Sequence, residues 1–325
     1  MSFDLPSDLK AALDRLTHGL SRKALAERAA AISATYRGGG SSTLIRNRDD
    51  ALAYAMSRMP ATFAAVVATL AELAKRRTDY TPASLLDVGA GPGTATFAAA
   101  DAFPSLTTFV QLETNPALAS LAIDLARDSV RLSALRQEAG DARQSIASTA
   151  EADLVIASYV IGELSDSARP DITDALWRKT RDTLLVVEPG TPAGTARIIA
   201  LRTQLIAAGA RVIVPCPHGQ ACPLTPPDWC HFTQRLARSR DHMQVKDVAL
   251  PFEDEKFAYV ALARAPLATR PAARVLAQPV TTKIEVTAKL CMADGTVRIA
   301  KVARRDKGGY GRAKRWQWGD AVDAG

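Results

Sequence analysis

The chain has 325 residues, 47% hydrophobic and 23% charged, with a net charge of +7. Such a composition fits an ordinary soluble globular protein with room for one large core and accessories. No apolar run approaches the roughly 20 residues of a membrane span. Met1-Ser-Phe-Asp-Leu-Pro-Ser-Asp8 also lacks the basic-then-apolar order of a secretory leader, so no membrane partner and a cytoplasmic location are expected. The charge is uneven: residues 266–325 hold twelve Lys/Arg against five Asp/Glu, which accounts for the whole excess. A near-neutral body with a basic end points to a polyanionic partner, with a merely solubilising terminus as the alternative.

Residues 7–35 carry helical spacing in Leu9, Leu13, Leu16 and Leu20 and stop at Arg37-Gly-Gly-Gly-Ser-Ser42. A second helical stretch covers about 48–76, with Pro60 expected to begin a new helix. Residues 1–80 therefore read as a helical lead-in. From Ser84 the pattern turns to short apolar strands alternating with helices: strands at 84–88, 107–112, 153–157, 182–187 and 211–214, and helices at 93–102 and 115–128. Alternation of this kind predicts an α/β fold with a parallel sheet over residues 81–265, and Lys256–Arg264 supplies a further strand. After the Pro-punctuated link 266–279, residues 282–290 and 296–303 predict a hairpin around Ala293-Asp-Gly295, making 266–325 a small basic β extension.

Leu85-Leu-Asp-Val-Gly-Ala-Gly-Pro-Gly-Thr94 places a glycine-rich turn between a strand and a helix, where backbone approaches a ligand closely and a helix N-terminus offers unpaired N–H groups. It is not a phosphate loop, because no lysine follows Gly93. A dinucleotide fingerprint would place a small residue where Thr94 stands. Asp87 with Gly89, Gly91 and Gly93 instead resembles the cofactor loop of class I S-adenosylmethionine-dependent methyltransferases, a Rossmann-like fold. On that likeness Glu113, at the end of the second strand, takes the ribose hydroxyls. Asp141 meets the adenine amino group or else caps a helix, and Ser158 borders the methyl donor. The Asn/Asp-Pro-Pro-Tyr/Phe clamp of amino-group methylation is absent after the fourth strand, and no cysteine lies near the loop to serve carbon methylation. Tyr159 and Glu163 remain the catalytic candidates, with plain packing as the alternative.

The four cysteines, Cys216, Cys222, Cys230 and Cys291, stand as C-x5-C-x7-C and a distant fourth. In a reducing compartment such a set favours metal over disulfides. Five prolines within residues 214–231 forbid a helix and leave a loop able to wrap a compact object. The loose spacing favours an iron–sulfur cluster, whereas His218 and His231 keep zinc open.

The glycine loop, Tyr159-Val-Ile-Gly-Glu-Leu164, the cysteine run ending in Trp229-Cys-His-Phe232, Gln234-Arg-Leu-Ala-Arg238 and Phe252-Glu-Asp-Glu-Lys-Phe257 together resemble the methyltransferase-like small-ribosomal-subunit assembly family, over about residues 40–319. Its best-known members are mitochondrial, and a bacterial relative in the cytoplasm is expected here. The resemblance implies S-adenosylmethionine binding, a [4Fe-4S] cluster on Cys216, Cys222, Cys230 and Cys291, and association with small-subunit (16S-type) rRNA. The basic end agrees: Arg304, Arg305, Lys307, Arg312, Lys314 and Arg315 can neutralise phosphates, and Tyr310, Trp316 and Trp318 can stack on bases or anchor the segment to its own body. The expected function is thus an assembly factor, monomeric when free. An active rRNA methyltransferase and a small-molecule methyltransferase with structural zinc are the alternatives.

Overall fold

The computed structural model describes residues 2–38, 40–138 and 142–323. Helices α1 (Ser7–Thr17), α2 (Arg22–Arg37) and α3 (Arg48–Arg76) precede β1 (Ser84–Val88). There follow α4 (Thr94–Ala102), β2 (Thr108–Leu112), α5 (Pro116–Ala126), β3 (Leu135–Glu138), α6 (Ala142–Ser148), β4 (Ala152–Ser158), α7 (Arg169–Arg178), β5 (Thr180–Pro189) and α8 (Pro192–Ala207). Next come β6 (Arg211–Val214), β7 (Phe232–Ala237), α9 (Arg240–Lys246) and β8 (Phe252–Ala263). The chain ends with β9 (Ala273–Val275), β10 (Val280–Thr281), β11 (Glu285–Met292), β12 (Val297–Ala303), α10 (Lys307–Ala313) and β13 (Ala321–Val322).

The main sheet has the strand order β3-β2-β1-β4-β5-β8-β6, with β7 beside β8. Strand β1 runs parallel to both β2 and β4, and β8 is antiparallel to β6. Chain direction along the sheet reverses on either side of β1, and ligands of such folds bind in the crevice at the carboxyl ends of the strands there. Residues 1–186 with 234–255 form one compact unit, and 187–233 with 256–325 form another.

In the first unit, α3 is a core helix. Asn47 caps it by accepting from the Asp50 N–H (3.0 Å), and Leu52, Met59, Phe63, Val66, Leu70 and Leu73 are buried along it. The expected restart at Pro60 does not occur: the helix runs through it. An internal proline costs about 3 kcal/mol through its missing hydrogen bond and ring clash. Burial at about 1.5–3 kcal/mol per large apolar side chain outweighs that. By length and composition α3 would also pass for a membrane span, but 72% of its apolar window is buried within the protein. The first helical stretch is broken instead at Gly19 (φ +78°), which separates α1 from α2.

In the second unit, β11 pairs antiparallel with β12 from Glu285↔Ala303 to Cys291↔Val297, and Gly295 turns the hairpin with a φ of +80°. Strands β9, β10 and β13 complete a five-stranded sheet. Its small core of Ala273, Val275, Ala288 and Leu290 is covered by Met292, Ala300, Trp316 and Val322. The basic extension is therefore folded structure, held by its own apolar residues.

Candidate cofactor site and cysteine pocket

A cavity of about 310 Å3 opens at the carboxyl ends of β1, β2 and β4, within the roughly 300–1,000 Å3 usual for ligand pockets. Of the sequence candidates, Gly89, Gly91, Glu113, Ser158, Tyr159 and Glu163 line it. Gly89 and Gly91 have φ of +67° and +56°, left-handed values that cost an L side chain about 1–2 kcal/mol. The Gly91 N–H donates to Glu113 Oε2 (2.7 Å) and the Asn115 N–H to Oε1 (2.7 Å), so the carboxylate spans the crevice from β2 to the glycine turn. Burial raises the Glu113 carboxyl above its ordinary range, opposed by those backbone donors.

Asp87 and Gly93 lie behind the lining. Asp87 is fully buried and accepts from the Thr96 hydroxyl (2.7 Å), which in turn accepts from the Gln111 amide (2.8 Å). This chain ties β1 and β2 to the start of α4 beneath the loop. Burial pushes the Asp87 carboxyl up to about 7 against the Thr96 hydrogen bonds. Gly93, the residue preceding α4, is needed for close packing: a Cβ there would stand 2.7 Å from Gln111 Nε2. Asp141 falls outside the described residues.

Three further elements of the cavity carry no local signal in the sequence. Tyr36 from α2, Ser42 from the loop and Tyr54 from α3 reach it from far upstream of the glycine turn. Glu163 accepts from the Tyr36 hydroxyl (3.2 Å) and the Ser42 N–H (3.2 Å). Burial raises its carboxyl too, these donors opposing and Glu113 adding to the rise. Tyr36 and Tyr54 stand 6.0 Å apart between ring centroids, and burial lifts the Tyr54 phenol to about 12. Tyr159 has a φ of +59° and donates to Glu255 Oε1 (3.1 Å), which also pairs with Arg58 (3.3 Å). Two carboxylates and two tyrosine rings in one concave site make an environment for a cationic, nucleoside-sized ligand.

The second unit gathers all four cysteines at one apolar pocket, with Arg202 and His218 in its wall. The proline-rich loop supplies three of them and β11 the fourth. The loop is pinned from several sides: Thr195 Oγ1 donates to Cys230 O (2.9 Å), Trp229 Nε1 to Gly190 O (3.0 Å) and Arg274 Nε to Pro215 O (2.8 Å). Burial raises the Cys216 thiol, raises Cys230 strongly and pushes Cys291 up to about 12, each also raised by neighbouring thiols. His218 Nε2 lies 3.3 Å from Cys291 Sγ. His231 instead sits between Trp229 and Trp318, 5.2 and 4.8 Å from their centroids. Among the described residues no three His, Cys, Asp or Glu side chains stand close enough together to hold a metal ion. The donor set is nevertheless that of a thiolate centre, four soft ligands on one dry pocket beside cations, and binding would require the thiols to draw together.

Arg304, Arg305, Lys307, Arg312, Lys314 and Arg315 are all exposed, along the end of β12 and on and just after α10. The aromatic residues beside them are engaged internally. Trp316 covers the small core, Trp318 Nε1 donates to His231 O (2.9 Å), and the Tyr310 hydroxyl donates to Thr282 O (2.9 Å).

Residues 48–323 match the family model described as mitochondrial small ribosomal subunit Rsm22. The chain belongs to the Rsm22 family. A human relative, the ribosome assembly protein METTL17, mitochondrial, is 28% identical over 301 residues, covering 83% of this chain. The match spans 62% of the human protein's length. Among solved structures, the Synechocystis magnesium protoporphyrin IX methyltransferase with bound S-adenosylmethionine is 11% identical, with a TM-score of 0.41 over 63% of this chain and 80% of that one. The Geobacter metallireducens precorrin-6y C5,15-methyltransferase is 15% identical, with a TM-score of 0.40 over 60% and 87%. With its strand order and glycine turn, this Rsm22-family chain has the class I S-adenosylmethionine-dependent methyltransferase fold, as expected. The cytoplasmic placement is overturned, because the family and the human relative are both described as mitochondrial. Organelle addresses are carried by processed leader segments outside the fold, so the composition of the folded body could not decide the compartment.

Proposed function

We propose that the chain is an assembly factor for the small ribosomal subunit that binds S-adenosylmethionine in the β1/β2 crevice and small-subunit rRNA through its basic extension. The observation that carries this reading is the Glu113 carboxylate facing the Gly89–Gly91 turn across a nucleoside-sized cavity, in a chain of the Rsm22 family. Glu113 accepts the ribose hydroxyls in place of its backbone donors, and Ser158 borders the methyl donor. Glu163 and the tyrosine rings suit the sulfonium charge. Asp87 and Gly93 support the loop from behind. Tyr159 and Glu163 are engaged with Glu255 and with Tyr36 and Ser42, which favours a binding role over proton transfer. Six exposed cations, none in an ion pair among the described residues, are available to phosphates.

Cys216, Cys222, Cys230 and Cys291 hold a [4Fe-4S] cluster in this reading, with zinc as the alternative. The cluster, when bound, supplies a one-electron centre and a cross-link between the proline-rich loop and β11. Calorimetric titration with S-adenosylmethionine, for the parent and Glu113→Gln, tests the cofactor, and labelled donor with small-subunit RNA tests transfer. Binding lost in Glu113→Gln without methyl transfer supports the assembly-factor reading, whereas transfer above background makes the chain an RNA methyltransferase. Iron, sulfide and zinc analysis after anaerobic purification, repeated with Cys222→Ser, tests the centre.

A further inference from the structure

Arg202 is 3% exposed, deep on the face of α8 that lines the cysteine pocket. Its Nη2 donates to His218 O (2.9 Å) and its guanidinium hydrogen-bonds the Cys216 side chain, yet its Nε is buried without a hydrogen-bond partner. Among the described residues no carboxylate pairs with it. Arg274, 1% exposed on β9, donates to Pro215 O (2.8 Å) and Gly319 O (2.6 Å) and bears electrostatically on Cys216, Cys230 and Cys291. Two guanidinium groups thus lie buried around four thiols that burial keeps neutral in the absence of a ligand. An uncompensated buried cation is expensive, and an orphaned buried donor adds to that cost. Both are relieved by an anionic group in the pocket. Four cysteine thiolates on either a [4Fe-4S]2+ core or a zinc ion carry a net charge of about −2, which matches the two arginines.

We propose that Arg202 is the outer-sphere counter-charge of the cysteine centre: it pairs with the thiolate of Cys216 and turns its free Nε–H toward a metal-bound sulfur, with Arg274 as the second cation. The inference rests on the four cysteines holding a metal. It adds that the pocket is electrostatically complete only when loaded, and that α8, outside the cysteine loop, sets how tightly the metal is kept. A role limited to propping the loop through His218 O would be indifferent to metal loading. A role as counter-charge reverses sign with it.

The test compares the parent, Arg202→Gln and Arg202→Lys, each metal-free and loaded anaerobically, by thermal melting and by the rate of metal transfer to a chelator. In the metal-free protein, Arg202→Gln raises Tm by about 2 °C or more, because it removes an unpaired buried charge. In the loaded protein it lowers Tm and weakens metal retention by about 10-fold or more, the usual scale for an outer-sphere partner. Arg202→Lys, which keeps the charge, retains metal better than the glutamine variant. If an iron–sulfur centre is present, its midpoint potential moves negative in Arg202→Gln. Equal metal retention in parent and Arg202→Gln, or the same direction of Tm change in both states, overturns the proposal while leaving the cysteine centre intact. So does a glutamine variant that cannot fold without metal. A parent that takes up neither iron nor zinc overturns the centre itself, and the counter-charge with it.

Discussion

Replacing Gly89 by alanine separates what the glycine turn does for the fold from what it does for the ligand. At a φ of +67° an alanine costs about 1–2 kcal/mol. Its Cβ would also stand 2.3 Å from Val160 Cγ2 and 2.7 Å from Val160 Cβ, so the valine must move, at about 1–3 kcal/mol. The lost freedom of the unfolded chain returns about 0.4–1 kcal/mol, leaving a net loss of about 2–4 kcal/mol. At about 2–4 °C per kcal/mol, Tm falls by about 6–12 °C. Gly91→Ala is the control: its φ is +56°, but nothing lies within 4 Å of the added Cβ, which enters open space beside the cavity that Gly91 lines. It costs about 1 kcal/mol and shifts Tm by about 2–4 °C, while S-adenosylmethionine binding falls at least as much as in Gly89→Ala. Differential scanning fluorimetry paired with calorimetric titration reads both quantities. Equal Tm shifts in the two variants, or unchanged binding in Gly91→Ala, would refute the reasoning.

Asp87 gives a pH signature. Its folded carboxyl keeps a proton up to about pH 7, while the unfolded one releases it near its model value of 3.8. Between those values the folded state holds more protons, so stability falls as pH rises and levels off above about 7, by about 4 kcal/mol at most. Asp87→Asn should remove that fall in denaturant titrations. His242, lowered to about 4 by burial, contributes an opposite slope that is common to both proteins, so a parent-to-variant difference that does not change with pH would contradict the assignment. Tyr36→Phe removes the 3.2 Å hydrogen bond to Glu163, costing about 0.5–1.5 kcal/mol and weakening S-adenosylmethionine binding. Calorimetry showing unchanged affinity would take Tyr36 out of the site.

The readable parts of this chain were those with local causes. The glycine turn, the strands beside it and Glu113 lie within about thirty residues, each signalled by its own composition, and the hairpin of β11 and β12 announced itself through Asp294-Gly295. Cysteine spacing suggested a shared site, and the four thiols do converge on one pocket, although spacing could not say whether they stand at ligand distance. What escaped was decided by tertiary packing. Tyr36, Ser42 and Tyr54 come from helices and a loop whose patterns say only that they fold, and Arg202 looks like any polar residue on a helix until its burial is known. Pro60 misled because burial along α3 overrides a local preference. Trp316 and Trp318 beside basic residues suggested base stacking, whereas a small five-stranded sheet needs large side chains to complete its own core.

The most direct test is sedimentation of the tagged chain with ribosomal particles on sucrose gradients, at about 50 and about 200 mM salt. The parent is compared with a variant carrying Arg304→Gln, Arg305→Gln, Lys307→Gln, Arg312→Gln, Lys314→Gln and Arg315→Gln. The account predicts that the parent travels with small-subunit precursors at low salt and leaves them steeply at high salt, while the variant stays in the free fractions yet still binds S-adenosylmethionine. A parent found only in the free fractions, or a variant that sediments as the parent does, would contradict it.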